Sequence, residues 1–457
     1  MPDRLSLTDV SFLHREDVNG PIHVGSLGLL RPGPGGLTYS DLCDIVERRL
    51  DLVPRYRQKI RAVPAGLARP VWVDDPEFDV RFHVRRSILP RPGTTQQLRE
   101  LVARVMARRV DRKHPLWEMY LVEGLEDGRV GLLSKTHQAM IDTGTVDLTQ
   151  VILAHRPADV VADGASGQWQ PAPAPSDLGL VVRAVGDLIR QPTRIMDTLR
   201  LRLLHSDRGT LTTLASGIIS AARTAARPAP PSPLNTEIGS QRSFAMLRTE
   251  LEDYRRIRRA YGTTITGVVL ATITGALRSW LLMRGEPLNG QQILRALVPV
   301  SAGGVRDTRV DSLLVDLPVG ERDPRVRLHQ ISYALDSQRQ TGQFVSASVL
   351  IGLSGFAPPT LHTLGAKAAA GLSRRLYNLM ITNVPGPQEP LYLDGARLEE
   401  VYPVQPLSQG QALAIGVTSY HGGVYYGLNA DRRTISDPDP IADLIAESLT
   451  ELVETVP

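Results

Sequence analysis

The chain has 457 residues, which is enough for two domains of roughly 150–220 residues. Its content of 42% hydrophobic and 22% charged residues is typical of a soluble globular protein, and excludes disordered and fibrous classes. The net charge of +4 is spread over the whole length, so no nucleic-acid partner is predicted, because such a partner requires clustered Lys and Arg.

Cysteine content and the first residues point to a cytoplasmic protein. Cys43 is the single cysteine, so no intramolecular disulfide can form, and the start MPDRLSLTDV has no apolar signal-peptide core. Cys43 lies in a helical pattern and is interpreted as a small core residue. The most apolar long stretch, 264–277, is shorter than the ~18 uncharged residues of a membrane span, which predicts a buried strand or helix there.

Residues 1–155 alternate helical and strand patterns, which predicts a first domain of mixed type. The apolar spacing indicates amphipathic helices over 41–60 and 96–112. Strand patterns, several with period-two alternation, occur at 70–75, 79–86, 119–125 and 130–137.

Residues 156–235 are predicted to join two domains. The stretches 156–175 and 228–235 are linkers by composition, since the first is rich in Pro, Ala and Gly and the second is dense in Pro. Between them, 176–227 is largely helical with eight arginines against four aspartates. Two interpretations stay open: helices packed on the body with a solvated basic face, or an interfacial segment with Leu and Ile in lipid and Arg at the headgroups.

Residues 236–457 form the second predicted domain. Its elements are a charged helix at 249–262, the apolar segment, strands at 292–301 and 312–319, a helix from 324, and a β-rich tail. The tail contains a hairpin signal at His421-Gly422-Gly423.

Motifs of several common chemistries are absent from the sequence. GLSGF at 352–356 has the wrong spacing for a GxSxG elbow, and no GxxxxGK[ST] phosphate loop occurs; GPGG at 33–36 is interpreted as a turn. There is no HExxH or CxxC, and the ten histidines are scattered, so no metal site is predicted.

The segment 134–148, SKTHQAMIDTGTVDL, is the candidate active-site stretch. His137 and Asp142 frame a short apolar run that follows a strand pattern, a frequent position for catalytic side chains. Taken alone, one His and one Asp five residues apart fit a structural role as well as a catalytic one.

KTHQAMIDTG resembles the HHxxxDG signature of CoA-dependent acyltransferases and peptide-synthetase condensation domains. The resemblance covers nearly the whole chain and is closest to the bacterial wax ester synthase/acyl-CoA:diacylglycerol acyltransferase family. Further segments that carry it are LSLTDVSFLHRED, PIHVGSL, PRYRQKI, HPLWEMYLVEGL, LN..IG..R (234–242), RALVPVSAG and ITNVPGPQEPLYLDG. It implies an α+β fold in which two chloramphenicol-acetyltransferase-like domains face each other across a central channel.

The resemblance implies acyl transfer from acyl-CoA, as a co-substrate, to the hydroxyl of diacylglycerol or a fatty alcohol, with no bound cofactor and no metal. In the family, the second signature histidine takes the proton from the acceptor hydroxyl. In this chain His137 matches the first histidine and Gln138 the second. Asp142 matches the acid that holds the loop, Thr143 the glycine, and Arg295 is the expected partner of Asp142.

Gln138 is the main departure from the family. An amide positions a hydroxyl by hydrogen bonds but cannot accept its proton, and general-base assistance is worth about 10²–10⁴-fold. His137 is either a substitute base or a supporting residue; in an extended segment it projects to the face opposite Gln138. A second departure is Thr266-Gly267, where the family has an Asn-Asp pair at the start of a long helix.

Other retained residues concern shape and binding. Pro115, Leu116 and Trp117 are predicted to seed core packing next to the signature loop. The NVPGP segment, with Asn383, Pro385 and Gly386, is predicted to form a rigid, substrate-binding turn near the channel mouth, with a turn cap as the alternative for its asparagine. The histidines at 23, 114 and 421 are interpreted as structural.

Two functions therefore stay open. The first is an acyltransferase with altered or weakened catalysis. The second is a non-catalytic relative that binds acyl-CoA or neutral lipid, or assembles with an active paralogue. Peripheral contact with a membrane or lipid-droplet surface is compatible with both.

Overall fold

A computed structural model describes residues 3–6, 9–13, 16, 20–141, 147–155, 169–182, 228–301, 310–341, 345–346 and 376–457. Asp142, Thr143 and most of the arginine-rich segment 176–227 lie outside these residues. The interfacial interpretation of that segment therefore remains a prediction.

The described residues form helices and strands throughout both predicted domains. The strands are β1 (His23–Arg31), β2 (Gln58–Arg61), β3 (Val71–Asp74), β4 (Val84–Ile88), β5 (Trp117–Glu123), β6 (Val130–His137), β7 (Arg242–Glu250), β8 (Leu294–Ser301), β9 (Val310–Leu317), β10 (Val345–Ser346), β11 (Leu379–Pro385), β12 (Tyr392–Leu393), β13 (Ala396–Val404), β14 (Leu413–Tyr420) and β15 (Gly423–Asp431). The α-helices are α1 (Tyr39–Arg49), α2 (Val80–His83), α3 (Thr95–Met106), α4 (Leu148–Ile152), α5 (Leu251–Tyr261), α6 (Ile265–Met283), α7 (Pro324–Thr341) and α8 (Asp439–Glu454).

Most strands belong to two sheets. The first has the order β12-β13-β1-β6-β5-β4 and the second the order β10-β9-β8-β11-β14-β15-β7. Strand β13 pairs antiparallel with β1, so the C-terminal part of the chain completes the N-terminal sheet. The mixed class is confirmed. The domain boundaries at 155 and 236 stay a prediction, and the first sheet includes residues that lie beyond them.

Helix α6 lies in the hydrophobic core of the second predicted domain. It begins after Thr264, whose side chain accepts a hydrogen bond from the Gly267 N–H at 3.0 Å. Within the described part of the chain it is the one helix long and apolar enough to cross a membrane, yet 72% of its most apolar window is buried. The buried Thr274 fits in this apolar helix because its hydroxyl donates a hydrogen bond to the Leu270 carbonyl at 2.6 Å. The segment is thus a buried helix rather than a strand.

Two predicted elements differ from the structure. The helix expected over 41–60 ends at Arg49; two 3₁₀ turns and β2 follow, since Pro54 has no N–H to continue an α-helix. The strand expected over 79–86 begins as helix α2, because the Asp79 carboxylate accepts from the Arg81 N–H at 2.9 Å and caps a helical turn.

Other local predictions are confirmed. The strands at 70–75, 119–125 and 130–137 are present as β3, β5 and β6, and Cys43 is buried. The hairpin between β14 and β15 turns at His421 and Gly422, which both have positive φ (42° and 81°), as a two-residue hairpin turn requires.

The packing of β13 against β15 of the second sheet depends on a glycine. A Cβ at Gly427 would overlap the carbonyl oxygen of Pro403, whereas nothing lies within 4 Å of a Cβ built at Gly35.

We therefore predict that Gly427→Ala lowers the free energy of unfolding by about 1–3 kcal/mol, the usual cost of overpacking. Urea titration followed by circular dichroism measures this. Gly35→Ala is the matched control, and equal stability of the two variants would contradict the prediction.

Candidate active site

The signature segment starts at the last residue of β6. His137 ends the strand, as the pattern over 130–137 predicted, and a 3₁₀ turn over Gln138–Met140 follows. The His137 N–H donates to the Leu116 carbonyl at 2.9 Å, and the Gln138 N–H donates to the Ile22 carbonyl at 3.1 Å. The turn is therefore tied to the segments before β5 and before β1.

The PLW segment packs directly beside this turn. Leu116 and Trp117 are buried, and the Trp117 N–H donates to the Pro115 carbonyl at 2.9 Å. The Trp117 indole donates to the Tyr56 carbonyl at 2.7 Å and stacks on His83 at 4.5 Å between ring centroids. Burial lowers the pKa of His83 to about 4, so this ring is neutral in the stack.

His137 is fully buried, and both of its ring nitrogens face a specific group. Nδ1 accepts a hydrogen bond from the Ala139 N–H at 3.0 Å, which fixes the 3₁₀ turn. Nε2 lies 3.5 Å from the Glu16 carboxylate, and neither side chain is exposed to solvent. Gln138 is half-buried.

Glu16 is the centre of a buried charged cluster. Arg112 donates to its Oε2 from Nη2 at 2.6 Å and from Nε at 3.0 Å. On the other side, His23 Nε2 lies 3.4 Å from Oε1. Burial alone raises the pKa of Glu16, but the contacts of its carboxylate with His137, Arg112 and His23 outweigh burial and lower the pKa to about 2. Burial also lowers the pKa of His23 well below its ordinary value.

Tyr56 fixes the chain where it leaves the signature segment. Its hydroxyl donates to Asp147 at 2.7 Å and accepts from the Leu148 N–H at 3.2 Å. Tyr56, Glu16 and His23 all lie in segments that carry the family resemblance, but sequence reasoning assigned no site role to any of them. Their role depends on contacts between distant parts of the chain.

The expected pair of Asp142 and Arg295 stays a prediction, since Asp142 lies outside the described residues. Arg295 lies on β8, and its guanidinium donates to Asp316 of β9 at 2.6 Å. Its backbone N–H donates to the Asn378 side chain at 2.6 Å.

The second departure from the family lies beside the NVPGP segment. Asn383 donates to the Thr266 hydroxyl in the first turn of α6 at 3.1 Å. Asn383 lies within β11, paired with Val417, so it is neither in a turn nor a turn cap. Pro385 ends the strand, and the Gly386 N–H donates to the Ser419 carbonyl at 3.0 Å. Among the described residues, no group of three or more His, Cys, Asp or Glu is arranged to hold a metal ion.

Comparisons with known proteins decide the family. The model of the wax ester synthase/diacylglycerol acyltransferase catalytic domain matches residues 5–269, and the model of the WS/DGAT C-terminal domain matches residues 308–453. The chain belongs to this family. The resemblance to this family, which the sequence segments predicted, is thereby confirmed over both halves of the chain.

Relatives and solved structures agree with this membership. The probable diacylglycerol O-acyltransferase tgs1 of Mycobacterium tuberculosis is 31% identical over 99% of this chain and 96% of its own length. The probable diacylglycerol O-acyltransferase tgs3 of the same organism is 42% identical over 57% of this chain and 97% of its own length.

The structure of a wax ester synthase/diacylglycerol acyltransferase from Marinobacter aquaeolei VT8 is 28% identical, with a TM-score of 0.70 over 98% of both chains. A starter condensation domain of rhizomide synthetase, at 12% identity and a TM-score of 0.60, covers 100% of this chain and 95% of its own and shares the fold. The expected fold class is confirmed, and the names of these relatives support an acyltransferase function for the family.

The charge of Glu16 predicts a pH-dependent contribution to stability. Its pKa falls from an ordinary 4.5 to about 2 on folding, so the contribution is complete above about pH 5 and is lost as the pH falls toward 2. We expect Glu16→Gln to lower the free energy of unfolding at pH 7 by about 1.5–3 kcal/mol, the range for hydrogen bonds to a charged group.

Urea titrations between pH 7 and pH 3 measure this difference, which should shrink as the pH falls. Glu447→Gln, at an exposed position on α8, is the control and should show no such pH trend. A difference that stays constant from pH 7 to pH 3 would contradict the role of the Glu16 charge.

Proposed function

We propose that the protein is an acyl-CoA-dependent O-acyltransferase that acts on diacylglycerol or a fatty alcohol, with catalysis weakened by the amide at Gln138. Family membership supports the reaction class. The solved condensation domain with the same fold was crystallised with C8-CoA, which supports an acyl thioester as donor. Bound cofactors and metals are not required for this transfer.

The observation that carries the proposal is the anchored signature turn. By the resemblance, Gln138 matches the family's base; it begins the 3₁₀ turn after β6, and its backbone N–H donates to the Ile22 carbonyl at 3.1 Å. In the transfer, the acceptor oxygen attacks the thioester carbonyl, the C–S bond breaks, and the acceptor proton passes through solvent to the departing thiolate. Gln138 orients the hydroxyl by hydrogen bonding but does not take the proton. Proximity and orientation therefore remain available while general-base assistance is lost.

His137 is better suited to support the turn than to replace the base. Its ring is fully buried, Nδ1 is occupied by the Ala139 N–H, and Nε2 faces Glu16. A general base must lie within hydrogen-bond reach of the proton it abstracts. A ring enclosed in this way lacks access to an acceptor alcohol.

A second candidate function is a non-catalytic relative that binds acyl-CoA or neutral lipid, or assembles with an active paralogue. Two separate departures favour it: Gln138 in the signature, and Thr266-Gly267 at the start of α6. At the second site, Thr266 accepts a hydrogen bond from Asn383, so the changed residue is integrated into the surrounding structure.

Turnover measurements separate the two functions. With hexadecanoyl-CoA and diacylglycerol or hexadecanol, we expect slow release of CoA by the wild type and a kcat about 10²–10⁴-fold higher for Gln138→His, because the base is restored. Gln291→His, at an exposed position, controls for an added histidine. His137→Ala in the wild type tests the substitute base.

The outcomes are distinct. No activity in the wild type together with gain in Gln138→His supports the non-catalytic function on a preserved frame. Fast wild-type turnover that His137→Ala abolishes, with the protein still folded, would contradict the role proposed for Gln138.

Membrane contact is a further part of the proposal. Residues 177–182 are helical at the start of the arginine-rich segment, with Leu178 73% and Val182 61% exposed, while Leu180 is buried against Val71. We expect peripheral binding to vesicles that contain anionic lipid and weaker binding to neutral vesicles. Flotation of the full chain measures this, with Leu178→Ser/Val182→Ser as the variant; absence of binding to either vesicle would exclude the contact.

A further inference from the structure

Four buried polar atoms without a hydrogen-bond partner among the described residues lie in one place. They are Glu16 Oε1, both ring nitrogens of His23, and His137 Nε2. Two of these nitrogens face the same carboxylate: His23 Nε2 is 3.4 Å from Oε1, and His137 Nε2 is 3.5 Å from Oε2. Because buried polar groups normally have partners, this convergence on one carboxylate requires an explanation.

The protonation of His137 follows from its other nitrogen. The Ala139 N–H donates to Nδ1 at 3.0 Å, and a backbone N–H can act only as a donor. Nδ1 therefore carries a lone pair and no proton. A ring in this state is neutral, with its proton on Nε2, the atom that faces Glu16.

We propose that Glu16 is a positioning residue whose carboxylate holds His137 as the Nε2–H tautomer, so that Nδ1 stays available to fix the Ala139 N–H and the turn that carries Gln138. Glu16 is itself fixed, because Arg112 donates to Oε2 and Arg109 donates to the Glu16 carbonyl at 2.7 Å. The chain of contacts thus runs from Arg112 through Glu16 and His137 to the signature turn.

Among the described residues, two neighbouring titratable groups do not compete with Glu16 for His137. Lys135 projects from the same face of β6, but its ammonium donates to Glu118 at 3.1 Å. His23 lies edge-on to His137, with ring centroids 5.6 Å apart, and burial lowers its pKa so that it adds no charge. Among the described residues, Glu16 is therefore the carboxylate that His137 Nε2 faces, at 3.5 Å.

The tautomer can be read directly. Nitrogen chemical shifts of ¹⁵N-histidine in the full-length protein distinguish Nδ1–H, Nε2–H and the imidazolium, and His137→Asn identifies the signals that belong to this ring. We expect the wild type to show His137 as a single neutral Nε2–H form at pH 7. An Nδ1–H form or an imidazolium at this position would overturn the proposal.

Two substitutions separate the acceptor from the charge. In Glu16→Gln, the amide oxygen can take the place of Oε2, which contacts both Arg112 and His137, while the NH₂ takes the place of Oε1 and donates to His23. We expect this variant to keep the His137 tautomer. Glu16→Leu removes the acceptor, and a mixture of tautomers is expected; an unchanged single form in folded Glu16→Leu would overturn the proposal.

A second measurement, of kinetics, links the tautomer to the reaction. Only this measurement rests on the proposed function. In the Gln138→His background, Glu16→Leu should lower kcat at least tenfold with little change in the KM for acyl-CoA, whereas Glu16→Gln should retain kcat. Glu447→Leu on α8 is the control. If the background has no activity, the proposed function fails while the nitrogen shifts still test Glu16. If Glu16→Leu does not fold, the wild-type and Glu16→Gln shifts still decide.

Discussion

The buried carboxylate of Glu16 is the constraint on which the N-terminal site depends. An ionised carboxylate without compensation costs several kcal/mol in a protein interior, so charged and polar partners must converge on it. Arg112 supplies the compensating charge. His23, at the start of β1, and His137, at the end of β6, are paired residues, so both strands meet at this carboxylate. The frame of the signature turn thus depends on residues other than residue 138, which explains how an amide can stand there without loss of the local structure.

The same frame depends on the far end of the chain. Strand β13 completes the first sheet beside β1, and it packs against the second sheet where Gly427 leaves room for the Pro403 carbonyl. Strand β1 therefore lies between β13 on one side and β6 on the other. A change in the C-terminal half that displaced β13 would reach the site through β1, by way of the Ile22 carbonyl that holds the Gln138 N–H.

Sequence patterns predicted the local parts of this arrangement and missed those that depend on distant contacts. The strand pattern at 130–137 identified β6, because the preference of a short apolar run for a strand is a local property. The apolar pattern at 41–60 predicts one helix. The structure has 3₁₀ turns at Leu50–Leu52 and Pro54–Arg57, whose residue spacing is close to that of an α-helix, so the pattern does not distinguish them. Glu16 and Tyr56 were not identified as site residues, because their partners Arg112 and Asp147 lie 96 and 91 residues away.

The two predicted departures from the family, at Gln138 and at Thr266-Gly267, both lie in hydrogen-bonded segments. Glutamine and threonine side chains form hydrogen bonds but do not titrate near neutral pH, and glycine has no polar side chain. Thr266 remains bonded to Asn383, and the Gln138 turn remains bonded to Leu116 and Ile22. Both segments are thus held in position by hydrogen bonds, while neither Gln138 nor Thr266 can act as a general base. Under either function, binding of the acyl donor should therefore be better preserved than its turnover.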